Sequence, residues 1–437
     1  TRFNNRFTKW GALVTSAVAG ITGLTFTIRK ATAGYAEMEE AESQVIKYTG
    51  MTKEQVKSLN EDLKNMDTRT ARERLNALAG DAGRLGKTSK KDVLDFIDAA
   101  DKINVALGED LGEDAVKNIG KLAMMFGEDK EKGLKGAMLA TGSAINAVGQ
   151  TSSAAEPYLV DFTARVAGDA NQAKISQADI IGFASVLDQN MIRDEKAATA
   201  FQNVIMKLYQ EPAKFAKIAG KDVTEFTQLL KTDANEAILQ FLQSLNKKGS
   251  LDQLAPLFDK MKLDGQGAAS VLSVLAGKIE GIRVAQKTAN EAYNDGTSII
   301  EEFNVQNNTV QAGIDKSKKK FADLTIELGE KLLPIARYGI STGSLTIKAL
   351  AKLVEFLGKY GKTIIYATLV LGTYIAAQKL QYLWTNKVKT AIIEYNAVQR
   401  LKMFWDKTVA ASTWLYIAAT SALTGKLGQA KLAVQAF

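Results

Sequence analysis

Residues 143–208 read SAINAVGQTSSAAEPYLVDFTARVAGDANQAKISQADIIGFASVLDQNMIRDEKAATAFQNVIMKL. Apolar residues recur along this stretch on helical faces, and we find no alternation of the kind that strands show. The segment Gly168–Lys174 (GDANQAK) is polar and predicts a loop, after which Ser176 and Asp179 have the spacing of a helix start. The stretch therefore predicts a succession of helices joined by short turns.

The same pattern extends over about Leu75–Ala289, and the chain contains few residues that break helices. Only four prolines occur among 437 residues, and proline breaks helices because it lacks an amide donor and clashes with the preceding turn. Thr52 and Gln55 have the spacing of a capping box, and Ser89 and Asp92 are spaced in a similar way. The predicted fold class is all-α, with a compact multi-helix core domain. Turns are predicted at Gly86, Gly108, Gly127, Gly168, Gly220, Gly249 and Gly265.

Two parts of this region resemble the core region of phage tail tape measure proteins. They are Leu75–Phe126 and Ser143–Leu208, and the similarity continues to about Pro334. A resemblance over so many helical turns is more specific than a short motif. The segments that carry it are Ser143–Asn146, Pro157–Arg165, Ile180–Leu187 and Ala197–Ala200.

The resemblance implies a structural protein of a long-tailed phage or prophage. Such a protein occupies the lumen of the virion's tail tube, sets tail length during assembly in the host cytoplasm, and leaves ahead of the DNA at ejection. The implied partners are further copies of the chain in a homo-oligomer such as a trimer, the tail tube protein, distal tail and baseplate hub proteins, and tail assembly chaperones. The host membrane and the end of the phage DNA are further candidate partners.

The composition excludes several classes of chemistry. The chain has no histidine and no cysteine, so disulfides, thiolate and imidazole metal sites and nucleophiles activated by histidine are all excluded. The chain begins at Thr1 and ends at Phe437 in the middle of a pattern. We therefore expect it to be part of a longer polypeptide.

The remaining motifs are better explained by structure than by chemistry. The acidic run Gly108–Asp114 lacks the ligand spacing of a calcium loop and suits the first turn of a helix, while Gly265–Gly267 follows no strand and suits a turn. Glu156, Asp161 and Asp188 are candidates for a carboxylate-only hydrolase, yet they occupy positions typical of solvated or capping side chains. We predict no enzyme, no catalytic, cofactor-binding or metal-binding residue, no cofactor and no small-molecule substrate.

The N-terminal region, residues 1–74, combines an apolar segment with amphipathic helices. Trp10–Ile28 carries no charge and nearly has the length that crossing a membrane requires, about 20 residues. Burial against neighbouring subunits and membrane contact after release both fit it. Tyr35–Tyr48 has the periodicity of an amphipathic helix.

Residues 291–337 show a short heptad pattern. Ile314, Phe321, Leu328 and Ile335 lie seven residues apart, which is typical of a coiled coil, although an ordinary amphipathic helix fits equally. Gly329 and Pro334 are expected to interrupt the pattern. Lysines are expected on its exposed face at Lys316, Lys318, Lys319 and Lys320.

Residues 338–437 form a basic, apolar region, with 12 Lys and Arg against 3 Asp and Glu, or a net charge of +9. Its two uncharged segments, Thr363–Gln378 and Thr408–Gly425, are marginal for crossing a bilayer. The positive charge fits three contacts. We rank an acidic tube wall first, an anionic membrane second and DNA third. The predicted domains are thus 1–74, 75–290 (the core), 291–337 and 338–437.

An alternative function comes from another class of protein. A helical pore-forming toxin or secreted effector would insert an apolar hairpin near Thr363–Gly425 into membranes. A neighbouring immunity gene would favour that function, whereas neighbouring genes for tail tube, tail chaperone and distal tail proteins would favour the structural one.

Overall fold

A computed structural model describes residues 32–108, 111–112, 114–249, 251–263, 267–337 and 359. Within these residues the regular secondary structure is α-helical and no strand occurs, so the all-α prediction is confirmed. The helices are α1 (residues 32–49), α2 (Lys53–Asn65), α3 (Arg72–Arg84), α4 (Lys90–Leu107), α5 (Ala115–Met125), α6 (Glu128–Thr151), α7 (Glu156–Gln172), α8 (Gln177–Gln189), α9 (Asp194–Gln210), α10 (Pro212–Ala219), α11 (Val223–Thr232), α12 (Ala234–Lys247), α13 (Leu251–Lys260), α14 (Ala268–Gly277), α15 (Ile279–Asp295), α16 (Ser298–Asn307) and α17 (Val310–Arg337).

Short-range capping contacts begin several of these helices. At α2 the Gln55 amide donates to the Thr52 hydroxyl at 3.3 Å, and the Thr52 amide donates to the Gln55 side-chain oxygen at 2.8 Å. These two bonds form the predicted capping box, which satisfies two backbone donors that lack helical partners. Ser176 caps α8 in the predicted way, because its hydroxyl accepts from the Asp179 amide at 3.0 Å.

The glycine turns follow the predictions with one exception. Five of the predicted glycines adopt the left-handed conformation that glycine tolerates best. The predicted loop at residues 168–174 is wrong over residues 168–172, because α7 continues to Gln172. Val166, Ala167 and Ala170 keep an apolar face buried there, so the polar residues occupy the solvent side of the helix. The five confirmed glycines are Gly86, Gly108, Gly127, Gly220 and Gly249, and Gly265 lies outside the described residues.

Helix α8 lies at the centre of the core. Most of its residues are buried, from Gln177 and Ala178 at its start to Leu187 near its end, as expected for a helix surrounded by other helices. It contacts α6, α7, α9, α14 and α15. The ring of Phe183 in α8 packs 4.8 Å from that of Phe201, which also contacts Phe162 at 5.8 Å between centroids.

The chain divides into two compact units. One consists of Val45–Leu59 and Arg74–Thr309 and includes the core around α8. The described residues of the other are 32–44, 60–73, 310–337 and 359. The domain boundaries predicted from the sequence stay a prediction.

Helix α17 differs from its prediction in two respects. It runs through both Gly329 and Pro334 over 28 residues, so the predicted interruptions are wrong. Burial of Leu328 and Leu332 extends the apolar contact past the glycine, and this offsets a helix cost of about 1 kcal/mol. Lys319 is only 5% exposed, so the prediction that all four lysines occupy the exposed face is also wrong.

The heptad residues of α17 are unequally covered. Ile314, Leu324 and Leu328 are buried, whereas Phe321 is 38% exposed. The apolar seam is therefore largely covered within the chain. Assembly of this helix into a coiled coil stays a prediction.

Candidate functional site

The three carboxylates considered for hydrolysis, Glu156, Asp161 and Asp188, occupy capping, exposed or first-turn positions. Asp188 accepts a hydrogen bond from the Ala155 amide at 2.7 Å and so caps the beginning of α7, as predicted. Asp161 is exposed, and its pKa is raised by partial burial and by the nearby charge of Asp194, against the opposing effect of Arg165. Glu156 lies in the first turn of α7, where the helix dipole favours a carboxylate.

The acidic run Gly108–Asp114 falls partly outside the described residues, as does Gly265–Gly267. Asp114 immediately precedes α5 and pairs with Lys117 within the helix. Among the described residues, no group of three or more acidic side chains is placed to hold a metal ion.

A polar network that the sequence did not reveal joins α6, α8 and α15. The Glu128 carboxylate in α6 accepts hydrogen bonds from the Gln177 amide at 2.6 Å and from the Tyr293 hydroxyl. Burial raises the pKa of Glu128, and the bond from Tyr293 opposes this rise. Each donor comes from a different helix, so the network fixes the relative positions of these helices.

The most specific arrangement of charges lies in the other unit, where α17 contacts the connection between α2 and α3. The Lys319 ammonium donates to the carbonyl oxygens of Leu63 at 3.1 Å and Met66 at 3.0 Å. These carbonyls lie at the carboxyl end of α2, where helical partners are lacking and the helix dipole favours a cation. Lys319 thus caps α2 from another helix, which explains how a lysine is accommodated in a buried position.

One turn further along α17, Asp323 faces the start of α3. Its carboxylate lies 2.9 Å from the Arg72 guanidinium, and the two side chains are 6% and 9% exposed. Burial raises the pKa of Asp323, while the positive charges of Arg72, Lys319 and Lys64 act in the opposite direction. The amino end of a helix favours an anion, so α17 presents a cation to the end of one helix and an anion to the start of the next.

Further ion pairs extend this contact along α17. Arg69 donates to the Asp315 carboxylate at 2.5 and 3.1 Å through two of its nitrogens, and Lys316 pairs with Asp67 at 2.8 Å. We call the whole set the ionic clasp. It comprises Lys64, Asp67, Arg69 and Arg72 from the α2–α3 connection, and Asp315, Lys316, Lys319, Asp323 and Glu327 from α17.

The sequence carried only a weak signal for the clasp. Lys319 and Asp323 are four residues apart and therefore share a helix face. Because a run of lysines is typical of a solvated surface, this spacing does not distinguish a buried contact from an exposed helix face.

No helix in the described part of the chain combines the length and apolar composition needed to cross a membrane. The apolar segments Trp10–Ile28, Thr363–Gln378 and Thr408–Gly425 lie outside that part.

Comparison with known proteins gives a family match over part of the chain. Residues 53–261 match the family described as phage-related minor tail protein. No curated protein and no solved structure matches the chain. The family match supports a phage tail protein with a structural role and a place in the virion tail, and it is consistent with a protein that is not an enzyme.

Proposed function

We propose that this phage tail protein is a segment of a tape measure protein. It occupies the lumen of the tail tube, sets tail length during assembly and is released ahead of the DNA at ejection. The observation that carries the proposal is the match of residues 53–261 to a phage minor tail family, together with the tape measure resemblance of the same region.

An extended helix such as α17 suits a ruler. A helix converts residue number into length at a constant rise of about 1.5 Å per residue. The 28 residues of α17 thus correspond to about 42 Å. A protein that measures length requires such a fixed relation, which an irregular chain does not provide.

The proposed partners follow from the assembly role and from charge. Copies of the chain associate with one another, and tail assembly chaperones, the tail tube protein and distal tail or baseplate hub proteins contact it during assembly. Residues 338–437 carry a net charge of +9, which favours an acidic tube wall first, an anionic host membrane second and the end of the DNA third. Passage through the host membrane after release belongs to this proposal.

Electron microscopy of purified particles tests the location and the release. A peptide tag on the chain is located with an antibody fragment before and after ejection is triggered, and a tagged tail tube protein serves as the control that stays in place. The proposal predicts density in the tail lumen that disappears on ejection, while the tube label remains. A chain that is absent from particles but permeabilises liposomes would instead indicate the toxin.

A further inference from the structure

We propose that a groove between α9 and the α13–α14 connection binds a short acidic segment of another protein. We call it the lysine groove, and it comprises Lys196, Asn203 and Lys207 of α9 with Lys262 on the opposite side. Its centre is a cavity of about 580 Å³, a size typical of sites that take a small ligand or a few side chains. This interaction goes beyond the proposed function and does not depend on the measurement of tail length.

One side of the groove is a polar face of α9. Lys196, Asn203 and Lys207 lie within about 40° of one another around the helix, because steps of seven and eleven residues are close to whole numbers of turns. They extend over about 17 Å along the axis. Lys196 and Asn203 line the cavity and are exposed, so their polar ends are accessible to a partner.

The opposite side is formed by Lys262, which follows the end of α13 and also lines the cavity. Its φ is 55°, a left-handed conformation that strains lysine but not glycine. The Lys262 amide donates to the Asp259 carbonyl and the Leu263 amide to the Phe258 carbonyl, both at 2.9 Å. Glycine usually ends a helix with these two bonds, so the fold itself does not account for a lysine here.

The described part of the chain leaves these lysines without an anionic partner. Lys196 and Lys262 make no ion pair there, and Lys207 donates to a neutral side-chain amide at 3.2 Å. Glu195 also lines the cavity, but its carboxylate pairs with Arg165 at 3.3 Å. The excess of positive charge favours a partner that carries negative charge.

Glu211 shows that the lysines of the two sides share one stretch of surface. A hydrogen bond from Lys214 lowers the pKa of Glu211, and the nearby charges of Lys207 and Lys262 lower it further. Both ammonium groups therefore lie near the same carboxylate, although they come from different helices. Lys214 already pairs with Glu211 at 2.5 Å, so Lys207 and Lys262 add positive charge beyond that pair.

The floor of the groove favours a protein segment over nucleic acid. Ala200, Leu263 and Ala268 line the cavity, and none of the described residues around it is aromatic, so bases would have no ring on which to stack. A phosphate backbone carries closely spaced charges and would meet Glu195 at the rim. A peptide can instead place an apolar side chain on the floor and carboxylates at the lysines, as protein interfaces combine an apolar centre with a polar rim.

Binding of a labelled probe peptide to the full chain tests the inference. The probe contains the sequence Glu-Glu-Leu-Glu-Glu, and a control peptide has Gln in place of every Glu. Fluorescence anisotropy should show binding of the acidic peptide that weakens as salt is added, because the lysines are exposed to solvent. The control peptide should not bind.

Lys262→Gly separates binding from stability. It removes one ammonium group and relieves the left-handed backbone, so the Kd of the probe should rise about threefold while the melting temperature also rises. Lys174→Gly is the matched control, because Lys174 has φ of 59° and does not line the cavity. It should raise the melting temperature and leave the Kd unchanged. Lys196→Gln together with Lys262→Gly should raise the Kd about tenfold.

Several outcomes would overturn the inference. They are absence of probe binding, an equal Kd for wild type and the double variant, and an equal loss of affinity in Lys174→Gly. Tighter binding of a single-stranded oligothymidylate through the same lysines would indicate nucleic acid instead. Asp264 lies outside the described residues, and binding that appears only in Asp264→Asn would show that the chain's own carboxylate occupies the groove. Tail length is measured separately, so failure of this inference and failure of the tape measure role are distinguishable.

Discussion

Helices α8 and α15 approach each other so closely at Gly182 that a larger residue there is predicted to destabilise the chain. A β-carbon at this position would lie 2.3 Å from the Gln286 Cγ, 2.8 Å from its backbone nitrogen and 2.9 Å from its Cα. A change of rotamer can move Cγ but not the backbone atoms, so Gly182→Ala must separate the two helices. Overpacking of this kind costs about 1–3 kcal/mol, a loss that should exceed the gain in helix propensity.

Gly168→Ala is the matched control for this prediction. Gly168 lies within α7, is exposed, and a β-carbon there would have no atom within 4 Å. Alanine should therefore stabilise α7 by about 0.5–1 kcal/mol through helix propensity alone. Replacing glycine with alanine is thus expected to lower the free energy of unfolding in α8 and to raise it in the neighbouring helix α7.

Urea unfolding of the full chain, followed by far-ultraviolet circular dichroism, measures both variants. Hydrogen exchange of the α8 amides shows whether the destabilisation is located at the core. Gly182→Ala at or above wild-type stability would refute the packing described for α8 and α15.

Three further predictions concern local contacts. Thr52→Ala removes the hydroxyl that caps α2 and should lower the free energy of unfolding by about 1 kcal/mol in a urea titration. Gln55→Ala removes the other bond of the capping box, and it should lower the free energy by the same amount only if the two bonds contribute equally. Lys174 has φ of 59°, a left-handed conformation that strains a residue with a β-carbon. Lys174→Gly should therefore stabilise the chain by about 1 kcal/mol and raise its melting temperature. A lower melting temperature would contradict backbone strain at this position. Burial raises the folded-state pKa of Glu128 above its ordinary value, so its contribution to stability is present at acidic pH and is lost as pH rises through the raised pKa. Wild type should therefore lose stability relative to Glu128→Gln as pH rises above the ordinary pKa of a glutamate, and parallel profiles would argue against a raised pKa.

The sequence predicted those features that depend on neighbouring residues. The capping box of Thr52 and Gln55 and the cap of Ser176 involve atoms three residues apart, so their spacing is visible in the sequence. The all-α class follows in the same way, because helical periodicity is repeated over many segments.

Features that depend on distant residues were not predictable in this way. Lys319 is buried because its ammonium contacts carbonyls of Leu63 and Met66, about 250 positions earlier in the chain. Gly182 contacts Gln286, while Gly168 shows no such contact, yet both are single glycines in apolar helical patterns. Only packing distinguishes them.

Tail length in particles from deletion variants tests the central claim most directly. Removing 28 residues from an extended helical part of the proposed tape measure polypeptide should shorten the tail by about 42 Å, and a duplication of the same length should lengthen it equally. Electron micrographs give the length, and a tag on the chain confirms its presence in each particle. Shortening in proportion to the number of residues removed would support the tape measure role. Unchanged tails that still contain the shortened chain would contradict it.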